Sequence, residues 1–258
     1  MLIIKELIIT KRIGMSNFDR LMYLLSKDYR DVDEVLTLLS ENEFSKEELM
    51  RIAIRAVQTF ELFEIESEYA RKMMEDNDDD IDENGWYIRI YKEYDSSYVE
   101  RINNHPMIKI LEMLLTKGLD PMLCVDGEYS NVMLPLQYVD VPFLAATAMK
   151  LLLEHGASPY VKNSDGVELF EDIDADIAID IDLLPESFVQ SYFQCWLVLI
   201  GYGARPKSIE PFQLNPGHNY DELKEFEFFD WKIRYEPDKK ENILHITDIR
   251  TGDEIGTL

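Results

Sequence analysis

Carboxylates at alternating positions are the pattern in this chain that comes closest to chemistry, because they could wrap a hard divalent cation. Residues 78–86 read DDDIDENGW, and Asp80, Asp82, Asn84 and Gly85 fall at the first, third, fifth and sixth places of a calcium loop. Such a loop is closed by a bidentate Glu at its twelfth place. Here that place is Tyr91, and Glu93 comes two residues late. Calcium is therefore not expected, and the tract reads as an acidic solvated loop entering a short strand, WYIRIY. A second run, DIDADIAIDID (172–182), lacks glycine at the sixth place and an acid at the twelfth. Its alternation would put the carboxylates on one face of a strand, or display them on an inserted loop.

Other reactive residue types are scattered. His105, His155, His218 and His245 lie far apart in sequence. His155 falls in a last helical turn, where a partly charged imidazole suits the helix dipole. His245 is expected on the solvent side of a strand. Cys124 and Cys195 have no metal-ligand spacing and stand among apolar residues, so reduced core thiols are expected. The chain has no Gly-x-Ser-x-Gly elbow, phosphate-cradling loop or His-Glu-x-x-His pair. GYGARP (201–206) resembles part of a nucleotide glycine loop, but a helix cap accounts for it. Neither catalytic residues nor a cofactor are expected.

Charge says more. The 258 residues carry 51 acids against 26 bases, a formal net charge of −25. Residues 61–100 hold fourteen acids and four bases, and nine acids with no base lie between Lys162 and Arg205. Such a field repels nucleic acid and anionic membranes and favours basic partners. The opening MLIIKELIITKRIG is broken by Lys5 and Glu6 into apolar pieces too short for a signal peptide. No segment approaches the ~20 apolar residues of a membrane span. A cytoplasmic monomer is expected. Met15 is a plausible true start, with Ser16 as a helix N-cap, which leaves residues 1–14 as an extension or short strand.

The elements that position these residues contain an internal repeat. MIKILEMLLTKGLDP (107–121), AATAMKLLLEHGASP (145–159) and YFQCWLVLIGYGARP (192–206) each end in Gly followed by Pro three residues later. Counting back 11, 8, 7, 4 and 3 residues from Gly118, Gly156 and Gly203 meets only apolar or aromatic side chains. That spacing is one stripe down a three-turn helix. Each glycine stands where a left-handed residue closes a helix, and the proline prevents it from resuming. DVDEVLTLLSENEF (31–44) reads as a fourth, terminal copy, with Val35, Leu38 and Leu39 before a left-handed cap at Asn42. Asp31 and Glu34 break its stripe.

LLLEHGASPYVKNSDG (151–166) resembles the end of one ankyrin repeat running into the next: a leucine run, Gly156-Ala157, and a loop leading to Asp165-Gly166. LPLQ (134–137) stands at that family's Thr-Pro-Leu-His turn, and Asp126-Gly127 at its opening loop pair. The glycine caps are 38 and 47 residues apart, against a family repeat of 33. The resemblance is clearest over residues 103–206 and stops before 211. It implies a mainly α fold: an ankyrin-like solenoid of helix pairs with insertions, spanning 15–210, whose loops grip another protein. The resemblance implies no catalytic residues.

Ser45 and Glu48 form a capping box that starts a helix expected to continue for some 28 residues. The period then changes in 211–258. Trp231, Ile233 and Tyr235 alternate with Lys232 and Arg234, and Ile243, His245 and Thr247 oppose Leu244, Ile246 and Asp248. Thr251-Gly252-Asp253 marks a turn. A two- or three-stranded antiparallel β-meander is expected there, covering the last repeat or serving as a second binding element.

The function these features imply is a non-catalytic protein-binding module whose acidic surface engages a basic protein, in one version as an inhibitor or immunity-type protein. Asp79, Asp80, Asp82, Trp86, Asp174, Asp176 and Asp180 are the candidate contact residues. The alternative is a structural or adaptor subunit that binds through its C-terminal β element. A calcium-binding protein and an unfamiliar enzyme stand behind both.

Overall fold

A computed structural model describes residues 15–26, 31–60, 96–122, 131–136, 139, 141–163, 165–171, 173, 186–204, 225–237 and 242–257. Helices come first: α1 (Asn17–Leu24), α2 (Val32–Glu41), α3 (Lys46–Phe60), α4 (Ser96–Asn103), α5 (Pro106–Thr116), α6 (Met133–Leu136), α7 (Leu144–Glu154) and α8 (Glu186–Gly201). Strands β1 (Glu225–Phe228), β2 (Trp231–Pro237), β3 (Asn242–Asp248) and β4 (Glu254–Thr257) follow. Among the described residues the fold is thus helix-rich with one small antiparallel sheet. The extension at 1–14 lies outside them.

Each of the first three helices starts on an oxygen acceptor that satisfies an orphan N–H. Ser16 Oγ accepts from the Asp19 amide at 3.0 Å, and Asp31 Oδ1 from the Glu34 amide at 3.0 Å. The capping box is reciprocal: the Glu48 amide donates to Ser45 Oγ at 3.2 Å and the Ser45 amide to Glu48 Oε2 at 2.8 Å. α3 ends at Phe60 within the described residues, and the rest of its expected length lies outside them.

All fifteen stripe positions before Gly118, Gly156 and Gly203 are buried. α5 packs on α7 and α7 on α8, so each covers its neighbour's apolar flank. The three ends are built alike. Gly118, Gly156 and Gly203 have φ of 91°, 96° and 102°. In each, the glycine amide donates to the carbonyl three residues back, at 3.0, 3.0 and 2.9 Å. The amide of the residue after the glycine reaches the carbonyl five residues before it: Leu119 to Leu114, Ala157 to Leu152 and Ala204 to Leu199. This is the Schellman closure, and Leu119, Ala157 and Ala204 are buried beneath it.

α2 departs from that pattern. Val35, Leu38 and Leu39 are buried as expected, but Asn42 is extended, at φ −125° and ψ 156°. Its side-chain Nδ2 donates to the Leu38 carbonyl at 2.9 Å, which replaces the bond a left-handed backbone would have made. The two acids that interrupt the stripe also have structural roles. Asp31 is the N-cap, and Glu34 pairs with Arg20 of α1, whose Nε lies 3.0 Å away.

Contacts between helix ends show how the helices are arranged. Lys117, at the end of α5, donates to the Ser40 and Asn42 carbonyls at the end of α2, at 3.1 and 3.3 Å. Met122, just past α5, accepts at Sδ from the Ser158 amide just past α7. The Tyr160 hydroxyl donates to the Gly203 carbonyl just past α8. The C-terminal ends of α2, α5, α7 and α8 therefore meet on one face.

The sheet has strand order β1-β2-β3-β4, four strands rather than the expected two or three. The extra strand is β1, which pairs with β2 through a two-residue turn, Phe229-Asp230. That turn has neither Gly nor Asn, the residues by which such hairpins are recognised in sequence. Alternation holds: Trp231, Ile233 and Ile246 are buried and Arg234 is exposed, with Ile233 opposite Ile246. The Thr251-Gly252-Asp253 turn closes with the Gly252 amide on the Asp248 carbonyl at 2.8 Å. The sheet docks on α7 and α8. Trp231 meets Tyr202 edge-on at 5.8 Å between ring centroids, and Phe143, at the start of α7, lies 5.6 Å from Phe228.

Candidate functional site

The contact residues read from sequence, Asp79, Asp80, Asp82, Trp86, Asp174, Asp176 and Asp180, lie outside the described residues, as does the calcium-like loop. The structure describes the chain that leads up to the second acidic run, of which Ile173 is described and buried. There the chain leaves the α7 cap and makes a short hairpin from Val161 to Leu169. The Leu169 amide donates to the Val161 carbonyl at 2.8 Å, and Lys162 bridges Glu168 across the ladder. Asn163 organises the tip. Its Oδ1 accepts from the Asp165 and Val167 amides, both at 3.0 Å, and its amide donates to the Val167 carbonyl at 2.9 Å. Gly166, at φ 81°, makes the turn that Asp165-Gly166 announces in sequence.

The face where the helix ends meet also presents apolar side chains. Met122 is 38% and Tyr160 48% exposed, among the most exposed large hydrophobic residues described. Both stand four residues past a cap glycine, Gly118 and Gly156. The same place past two helix caps thus displays an apolar side chain, each tied to the segment after the next helix by the hydrogen bond given above. Asp165 at the hairpin tip is exposed, and Asp120 receives the Met122 amide at 3.0 Å.

The histidines take structural positions. His105 is buried and caps α5, its Nδ1 accepting from the Met107 amide at 3.2 Å. Burial lowers its pKa from the usual 6.5 to about 4, so it is neutral at pH 7. Sequence reasoning missed this role, although Pro106 at the first helical position marks the residue before it as a cap. His155 ends α7 with Nδ1 2.8 Å from the Leu151 carbonyl, as its place in the last turn suggested. His245 is partly buried, its Nδ1 3.2 Å from Glu254 Oε1 of the neighbouring strand.

Cys195 is fully inside α8, and burial pushes its thiol far above the ordinary range. Cys124 lies outside the described residues. Around the sheet junction, burial and the Glu154 carboxylate push the Tyr202 phenol up to about 12, while the hydrogen bond from Arg250 draws Asp248 down to about 2. The Asp248 shift belongs to ion pairs that tie turns together: Asp248 and Asp230 hold Arg250, and Asp230 also faces Lys150 of α7 at 3.6 Å. Among the described residues no group of three or more His, Cys, Asp or Glu side chains could hold a metal ion, and no helix is long and apolar enough to cross a membrane.

Compared with protein-family models, with curated proteins and with solved structures, the chain matches none of them.

Proposed function

We propose that this chain is a non-catalytic protein-binding module, an ankyrin-like stack of helix pairs that binds a basic protein at the face where its helix ends meet. The supporting observation is the threefold repetition of one closure, at Gly118, Gly156 and Gly203, on helices that pack in succession. Stacked repeats of this kind align their loops on one side and offer a continuous contact surface. Met122 and Tyr160 supply the apolar anchors there, and the hairpin at Asp165-Gly166 leads into the acidic run containing Asp174, Asp176 and Asp180. The concentration of negative charge in residues 61–100 and 163–204 favours a cationic partner, in the sharpest version a toxin or nuclease that the module masks.

The test uses the full chain as bait, with capture repeated at rising salt and with Asp174, Asp176 and Asp180 replaced by asparagine. A basic protein, released by salt and weakened by the substitutions, supports the reading. An acidic partner, or capture indifferent to both, counts against it. The sheet commits Phe228, Trp231, Ile233 and Ile246 to its buried side. That favours a covering role for it over the adaptor reading, in which it would carry the contact.

A further inference from the structure

Among the described residues, Phe143 and Phe229 are the non-glycine residues with positive φ, at 66° and 52°, and they touch each other. Phe143 precedes α7 and Phe229 opens the β1–β2 turn, 86 positions later in the chain. Their rings meet edge-to-face with centroids 6.3 Å apart. Phe228 and Tyr98 close on Phe143 at 5.6 and 6.4 Å, and Lys150 of α7 lies over the Phe229 ring at 5.7 Å. A bulky side chain rarely holds such a backbone unless its surroundings impose it. The surroundings here also hold an orphan: Gln194 of α8 accepts the Phe143 amide at Oε1, while its buried Nε2 has no hydrogen-bond partner among the described residues.

We infer that the C-terminal sheet and the start of α7 form one two-state joint, in which docking of the β1–β2 turn holds Phe143 left-handed and opening relaxes both ends together. Three unfavourable features, two strained backbones and one unpaired amide, are concentrated where two parts of the fold meet. The contacts of Phe143 with Phe228 and Phe229, and of Lys150 with Phe229 and Asp230, offset them and cross the joint. Removing those contacts from either side therefore frees the other. Through this joint, events at the helices are felt in the sheet, and the reverse.

Hydrogen exchange on the full chain tests the coupling. Gly201→Val pushes the Trp231 ring away from α8 without altering a residue of the turn or of α7. It is expected to speed exchange at the Phe143 and Thr147 amides by about tenfold, with the Lys117 and Gly118 amides of the α5 cap unchanged. Phe143→Ala, acting from the helix side, is expected to speed exchange at the Ile249 amide, which bonds the Asp230 carbonyl of the turn at 2.8 Å. Because the joint opens as one unit, each substitution should speed exchange on both sides of it, by an amount set by its own destabilisation. Phe229→Gly, which accepts positive φ but removes the ring, should reproduce the Gly201→Val effect on Thr147. An effect in one direction alone, or none, would overturn the inference. So would equal acceleration at the α5 cap, since the joint would then open only with the whole molecule.

Discussion

Gly201, the last residue of α8, lies so close under the indole of Trp231 that a β-carbon there would stand 2.5 Å from Cζ2, 2.7 Å from Cε2 and 2.8 Å from Cη2. The glycine is a matter of space here, not of backbone freedom. Trp231 is 4% exposed, so its indole can yield only by displacing the side chains packed around it. Gly201→Ala is therefore expected to destabilise the chain by about 1–3 kcal/mol through overpacking. It should also alter the Trp231 environment, read as a change in the near-ultraviolet circular dichroism of the folded protein. An unchanged aromatic spectrum would show that the indole does not rest on α8.

Two residues on, Gly203 behaves differently. A β-carbon at Gly203 meets nothing within 4 Å, and the same holds at Gly118 and Gly156. What these positions require is positive φ. Alanine at any of the three is expected to cost about 1–2 kcal/mol, the strain of one left-handed residue. The three costs should be alike, and should add except for whatever coupling passes through the Met122–Ser158 and Tyr160–Gly203 hydrogen bonds. Gly203→Ala should leave the Trp231 signal intact where Gly201→Ala perturbs it. Urea unfolding of the single and triple variants measures the first claim, and a strongly non-additive triple would show that the caps are not independent.

The three like-built helix ends were legible in sequence because their physics is local. A stripe at helical spacing, a glycine that accepts positive φ and a proline that blocks continuation all lie within fifteen residues, and the capping box at Ser45 and Glu48 spans four. What escaped reading depends on distant partners. Gly201 looks like a second half of the Gly203 cap until Trp231 is placed above it. Phe143 and Phe229 break the rule that left-handed positions take glycine or asparagine, so neither the helix start nor the two-residue hairpin turn is marked in the sequence. Gln194 accepts the Phe143 amide from another segment, which no spacing reveals. The acidic contact residues are marked in sequence by charge alone, and they lie outside the described residues.

Cys195 provides a test of the core. Its side chain is 1% exposed, inside α8 beside Trp196, and its thiol is held in the neutral form. Thiolate is the reactive species, so alkylation requires exposure first. Iodoacetamide at pH 8 is expected to leave Cys195 unlabelled in the folded protein and to label it across the urea transition, followed by mass spectrometry of the peptide that carries it. Rapid labelling under native conditions would contradict the packing of α8 against α7.

His105 sets a pH dependence whose sign follows from its role. The imidazole is neutral in the folded protein because Nδ1 must offer a lone pair to the Met107 amide and because burial disfavours the charge. Unfolded, it takes up a proton near its usual 6.5; folded, only near 4. Between those values the unfolded chain binds more protons, so stability is full above about pH 6.5 and declines as pH falls toward 4. The loss attributable to this residue is on the order of 3 kcal/mol. His105→Asn retains an N-cap acceptor for the first turn of α5 but cannot be protonated in this range. Urea unfolding at pH 7.5 and 4.5 should show a smaller acid loss in the variant than in the parent. If both lose the same amount, the buried histidine is not the source of the acid sensitivity, and its place at the head of α5 has been misread.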